Sequence, residues 1–235
     1  MLNFIILQAS QNLTEGVKAA TKVVYPEGVK LGFIDLAIKG GPIMIPIILL
    51  SFVAVFIFID RFIAIRKASK VDAQMMDRVK EYILDGKVES AYALCRSENS
   101  PTSRMIQKGI SRIGRPMADV TTAIEIIGNL EVSKLEKGLP VLASVAGGAP
   151  MLGFLGTVIG VISAFYDMAN AGNNINITLL SSGIYQAMVT TVAGLIVGIT
   201  AYFAYNLLVA SVENVIFNME AATSEFMDML NEPAK

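Results

Sequence analysis

Three long uncharged runs divide the chain, and charged residues gather at their edges and between them. The first, GGPIMIPIILLSFVAVFIFI from Gly40 to Ile59, meets Asp60, Arg61, Arg66, Lys67 and Lys70. The second, Gly138 to Tyr166, ends at Asp167 and is followed by the polar stretch ANAGNNINI. The third carries no charge up to Glu213. A bilayer core ~30 Å thick needs about 20 residues of apolar helix, so each run is long enough to cross one. The pattern predicts transmembrane helices over 40–62, 138–168 and 178–212, with the Gly/Asn-rich residues 169–177 as an external turn between the last two. Pro42 and Pro46 fall in the first turns of the first span, where a missing N–H is tolerated.

Between the first and second spans the periodicity is helical, with no strand-like alternation. VDAQMMDRVKEYIL stops at Asp85-Gly86, a helix-stop signal. Ser100 reads as an N-cap with Pro101 at N1, which predicts a helix from there to Gly114. From Pro116 onward, Val120, Ile124, Ile127, Leu130 and Leu135 predict a helix that runs straight into the second span. Val215, Met219, Ala222, Phe226 and Leu230 carry the third helix beyond the membrane; from Thr178 to Leu230 it would be ~80 Å long. The expected fold is an all-α membrane protein with three transmembrane helices. The second and third extend into a cytoplasmic helical bundle made with residues 63–137 and the tail 213–235.

Lys and Arg near span ends mark the cytoplasmic side. The first span exits to Arg61, Arg66, Lys67 and Lys70, the second is entered from Lys134 and Lys137, and the turn between the last two has neither Lys nor Arg. The expectation is therefore a multi-pass membrane protein, N-terminus outside and C-terminus cytoplasmic. The opening MLNFIILQAS lacks the basic n-region of a signal peptide. Residues 1–39 are expected to be an external or interfacial segment, with an interfacial helix from about Thr14 to Ala37.

Composition narrows the function. Apolar residues make up 54% and charged residues 17% of 235, against the usual ~45–50% and ~25%. The net charge of −1 leaves no basic excess for nucleic acid. With no histidine and one cysteine, Cys95, zinc sites, His-based acid–base chemistry and an intrachain disulfide are excluded. Cys95, in ESAYALCRSE, reads as a small buried helix residue. There is no Gly-rich phosphate loop, no Ser/His/Asp set and no pair of carboxylates in an apolar setting. No enzyme, metal or cofactor is expected, and the sign-alternating charges of the cytoplasmic part predict a solvated face.

The second and third spans carry a different signal. Gly153, Gly156, Thr157, Gly160, Ser163 and Ala164 fall on one helical face, and Gly183, Ala187, Thr190, Thr191, Gly194 and Gly198 share another. Each span holds a GxxxG step, Gly156/Gly160 and Gly194/Gly198, which lets backbones approach closely. Packing between these two helices alone would account for the small residues. The polar groups at depth are Thr157, Gln186, Thr190 and Thr191. An amide is costlier in lipid than a hydroxyl that back-bonds to its own helix, so Gln186 is expected to face a partner or water. No acid or base lies mid-membrane; Asp167 is at the edge. Either the chain moves no ions, or another subunit supplies the titratable group.

Pro150-(x)5-Gly156-Thr157-(x)2-Gly160, paired with Gly183-Ile184-(x)2-Ala187-(x)2-Thr190-Thr191-(x)2-Gly194-Leu195, resembles the MotA/TolQ/ExbB proton-channel family. The resemblance extends to the topology of three spans with a large first cytoplasmic loop. It implies a homopentamer in a bacterial inner membrane, whose second and third spans line a central pore. A dimer of an ExbD-, TolR- or MotB-like single-span protein would sit inside and carry the proton-accepting Asp, and rotation would pass work to a periplasm-spanning protein such as TonB. By position, Thr157 and Thr191 match the family's pore-facing threonines, with Thr190 and Gln186 beside them. Pro150, Gly153, Gly156, Gly160, Gly183, Ala187, Gly194 and Gly198 would be the packing positions. Gln186 stands where ExbB and TolQ members often carry Glu; glutamine orients water but releases no proton near neutral pH. A purely polar lining serves a proton or a partly dehydrated sodium ion. Three spans disfavour the four-span flagellar branch, and the extension before the first span favours ExbB over TolQ. The competing reading from another class is a membrane packing scaffold without an ion path. A stand-alone transporter is a poor fit, since three spans give no inverted repeat.

Overall fold

The computed structural model describes residues 39–69, 74–98, 100–170 and 177–231. Among them the regular elements are all helices: α1 (Met44–Ala68), α2 (Met75–Leu84), α3 (Val88–Ser97), α4 (Pro101–Ile110), α5 (Met117–Glu136), α6 (Leu139–Asn170) and α7 (Ile177–Asn231). The interfacial helix expected over 14–37 and most of the turn between the last two spans lie outside the described residues.

Three stretches, in α1, in α6 with α5 leading into it, and in α7, are long and apolar enough to cross a membrane. Their side chains point both ways. Phe52 and Phe56 of α1 are each 72% exposed, and Met151 and Phe154 of α6 and Met188 and Phe203 of α7 also face outward. Apolar surface on this scale is stable only against hydrocarbon or other apolar protein. This is an all-helical membrane protein.

The extramembrane bundle is built differently. Phe226, Met219 and Val215 of α7 pack with Ile106 of α4, Ile124 of α5 and Val79 of α2, all buried. Cys95 of α3 joins this core, 1% exposed. Burial pushes its thiol up to about 11, with Glu98 adding to the shift, so it stays protonated and packs as a small apolar group. The chain ends α2 at Gly86, where φ is +73° and the Lys87 N–H returns to the Tyr82 carbonyl at 2.8 Å. It starts α4 with a reciprocal cap: Ser103 N–H donates to Ser100 Oγ, and Ser100 N–H to Ser103 Oγ, both at 3.1 Å.

Three expectations are corrected. The helix begun at Pro101 ends at Ile110 instead of Gly114, because the Arg112 and Ile113 N–H groups turn back to Gly109 and Ile110 and Gly114 takes φ +90°. The helix from Pro116 does not run straight into the second span. It breaks after Glu136, Gly138 adopts φ +89°, and Pro140, which lacks an N–H, sits in the first turn of the new helix. The sign-alternating charges are not all solvated: Glu131 is 4% exposed.

Candidate functional site

The packing of α6 on α7 dominates the spanning part, and at its centre it is backbone on backbone. A Cβ on Gly183 would lie 2.6 Å from Ala164 Cβ and 2.9 Å from the Gly160 carbonyl oxygen. One on Gly153 would meet the Thr190 carbonyl at 3.0 Å and Thr191 Cα at 3.2 Å. One on Gly194 would lie 2.5 Å from the Ala149 carbonyl and 2.9 Å from Gly153 Cα. On Gly156 it would collide with the Thr190 side chain, and on Gly160 it would touch Ala187 at 3.0 Å. Gly198 rests on the ring of Pro150, near the Ala146 carbonyl that Pro150, having no N–H, cannot satisfy. All eight small or proline residues singled out from the sequence meet at this seam. Ser163, expected on the same face, is exposed instead.

The four polar residues do not form one group. Thr157 of α6 and Thr191 of α7 meet across the seam, Oγ1 to Oγ1, at 2.5 Å. Both hydroxyls also approach the Gly153 carbonyl, at 3.2 and 3.1 Å. Two hydroxyl protons serve these three contacts, and each oxygen keeps acceptor capacity for a further donor or cation. Both residues are half-buried, at one edge of the seam. Thr190 is 1% exposed and donates to the Ala187 carbonyl at 2.9 Å; it fills the seam over Gly156 and lines no open surface. Gln186 lies at the other edge, its amide against the backbone of Gly41, which has φ +70° at the start of α1. At ~100° per residue, Gln186 is about 140° round α7 from Thr191. Next to it, Lys39 Nζ sits 5.5 Å over the ring of Tyr185, a cation–π contact that also holds the start of α1 to α7. Among the described residues no cluster of three His, Cys, Asp or Glu could hold a metal ion.

A second polar set lies where the helices leave the apolar layer. Glu131 accepts from Arg104 at 2.5 Å and from Lys134 at 2.7 Å. Burial pushes the Glu131 carboxyl up, but the hydrogen bonds and charges of Arg104 and Lys134 outweigh it and hold the group below the usual glutamate range. Arg61, just past the first apolar run, donates to the Lys134 carbonyl at 2.9 Å. It satisfies one of the orphan carbonyls of the α5 C-terminus and ties α1 to the break before α6. The sequence offered only the Glu131/Lys134 spacing as a signal, while the pairing with Arg104 spans 27 positions.

The sequence model of the MotA/TolQ/ExbB proton channel family matches residues 97–221. An ExbB homolog from Methanothermobacter thermautotrophicus is 28% identical over 183 residues, covering 77% of this chain and 64% of its own length. The Tol-Pal system protein TolQ of Pseudomonas aeruginosa is 32% identical over 115 residues, 49% of each chain. The biopolymer transport protein ExbB of Neisseria meningitidis serogroup B is 24% identical over 188 residues, 72% of this chain and 84% of that protein. The family match takes in α4, α5, α6, the threonine pair and most of α7, more than half of the chain. This chain belongs to the MotA/TolQ/ExbB proton channel family.

Proposed function

We propose that the chain is the ion-conducting stator subunit of an inner-membrane motor, N-terminus outside and C-terminus cytoplasmic. It couples the proton or sodium motive force to mechanical work through a single-span ExbD- or TolR-like partner. Five copies surround a dimer of that partner, and a TonB-like protein carries the work to outer-membrane transport. The observation that carries this reading is the closed seam beside the open threonine pair. Gly153, Gly194 and Gly183 bring α6 and α7 into backbone contact, so no water column fits between these two helices. Thr157 and Thr191 sit at the edge of the seam with acceptor capacity to spare. No Asp, Glu, Lys or Arg lies between Gly138 and Tyr166 or between Thr178 and Val212. An ion path along this edge needs another chain to close it and to supply the titrating group.

In this arrangement Thr157 and Thr191 face the ion path, Thr190 belongs to the seam, and Gln186 holds α1 against α7. The names of the relatives support energised transport and leave the branch open between ExbB-like, TolQ-like and gliding-motor stators. A packing scaffold without an ion path is the reading from another class. The test is the native mass of the protein extracted from its own membranes in mild detergent. Five copies with two of a single-span, Asp-bearing companion are expected; a monomer or dimer without such a companion leaves the scaffold.

A further inference from the structure

Helices α1 and α7 run in parallel and leave two cavities end to end between them. The first, about 400 Å³, has a floor of small residues, Ser51 and Ala54 of α1 with Ala201 and Ala204 of α7. Its rim includes Val55, Ile196 and Phe203, all exposed. The second, about 290 Å³, follows where Phe62 and Arg66 of α1 face Leu208, Ser211 and Asn214 of α7. Phe58 lines the first and Phe62 the second, and their rings stack at 5.8 Å, so one aromatic wall runs past both.

Depth decides what this groove can hold. On the side of the extramembrane bundle the apolar layer ends near Asp60, which closes the uncharged run of α1, and Gly138, which opens that of α6. Ser51 is nine residues before Asp60, ~14 Å along the helix axis, or about half of a core ~30 Å thick. The apolar cavity therefore runs from near the midplane to the edge of one leaflet. One turn before Ser51 on the same stripe of α1, Ile47 is 1% exposed, and α1 closes on its neighbours there. Arg66 is ~9 Å past Asp60. A long helical side chain leans toward its helix N-terminus, here back toward the membrane. That lean brings the guanidinium into the headgroup layer of roughly 5–8 Å.

A spanning helix of a partner needs an open face through both leaflets, and this groove is open through one. Left empty, its lining would lack contact partners; a single acyl chain of the same leaflet supplies them. Among the described residues Arg66 is the only charged one lining the polar cavity, and a guanidinium binds phosphate through paired N–H donors. Ser69, Ser211 and Asn214 add hydroxyl and amide groups. Glu213 lies about 100° round α7 from Asn214, so no lining carboxylate meets a choline or ethanolamine cation. We propose that the groove binds an anionic phospholipid, one acyl chain between Ala54 and Ala204 and the phosphate on Arg66. The proposal rests on the membrane reading of α1 and α7 and not on the ion path, so it stands or falls independently of motor function.

The test uses the protein as extracted, with any companions, reconstituted in nanodiscs of phosphatidylcholine with or without phosphatidylglycerol, then released for native mass spectrometry. Wild type is expected to retain phosphatidylglycerol selectively, one per chain. One cation near an anionic headgroup is worth roughly 5-fold in binding, so R66Q should lose about 5-fold in retention. K137Q, at the same edge of the apolar layer but outside the groove, should keep wild-type retention. A204L, which fills the floor, should lose bound phosphatidylglycerol altogether. Should A204L extract poorly, R66Q against K137Q decides. Equal loss in K137Q would reduce the effect to general surface attraction and overturn the site. Wild-type retention in A204L would overturn it too, as would displacement of the lipid by millimolar glycerol phosphate. A wild type without bound lipid, whose copy number falls in A204L, would assign the groove to a neighbouring subunit instead.

Discussion

Helix α7 is held by two unlike surfaces along its length. Inside the apolar layer its contacts with α6 include Gly183, Ala187, Thr190, Thr191, Gly194 and Gly198, and the partner atoms are largely backbone. Beyond it, the same helix buries Val215, Met219 and Phe226 among Ile106, Ile124 and Val79. The difference follows from the solvent. In water, removing large apolar side chains is itself the driving force, at about 25 cal/mol per Å². In lipid that term vanishes between helices, and close backbone approach with dispersion and hydrogen bonding remains. Around the seam the spanning half therefore turns Met151, Phe154, Met188 and Phe203 outward, whereas the aqueous half buries Val215, Met219 and Phe226. What each half tolerates should differ accordingly.

The largest effect is expected from Gly194→Val. Its Cβ would fall 2.5 Å from the Ala149 carbonyl, against backbone that cannot rotate away, and several kcal/mol of strain should follow. Size-exclusion of the extracted protein should show no monodisperse species. Phe226→Ala attacks the other half. Phe226 is fully buried, so truncation should cost ~3–5 kcal/mol by cavity formation, read as a lowered unfolding temperature with the spans still inserted. Glu131→Gln is a smaller perturbation at the junction of the two halves, about 1–3 kcal/mol from weakened pairing with Arg104. Because folded Glu131 is held below ordinary glutamate, its pairing stabilises above the unfolded value near ~4.3 and is lost as pH falls through the lower folded value. Wild type should lose this increment on acidification and the variant should not, in pH-dependent melting curves. Thr157→Val should be the mildest for stability, roughly 0.6–2 kcal/mol for one interhelical hydrogen bond.

The halves also differed in how far the sequence could be read. Spans are written in composition, and uncharged runs bounded by Arg61, Lys137, Asp167 and Glu213 suffice to find the long apolar helices. The seam followed from the recurrence of small residues, since a 100° step puts Gly183 to Gly198 on one side. Ser163 faces outward because it lies at the margin of the small-residue arc, about 80° round α6 from Gly153 at 100° per residue. The break at Gly138 did have a local signal, a glycine with Pro140 two positions on. It was hidden because Gly138 also opens the apolar run. Thr190 and Gln186 needed three dimensions. Thr190 is one step from Thr191 yet wholly inside the seam, and the place of Gln186 depends on the register of α1, which no spacing along α7 encodes. The pairing of Arg104 with Glu131 is likewise tertiary, and alternation of charge sign pointed the wrong way.

In the proposed motor, ions pass along the threonine edge of the α6–α7 pair, outside a sealed seam. The most direct measurement is ion flux through the reconstituted complex carrying Thr157→Val and Thr191→Val, with its native mass measured on the same sample. Flux reduced by at least ~10-fold at unchanged stoichiometry is expected, since valine keeps the shape of threonine and removes both hydroxyls of the pair. Unchanged flux in an intact complex would contradict it.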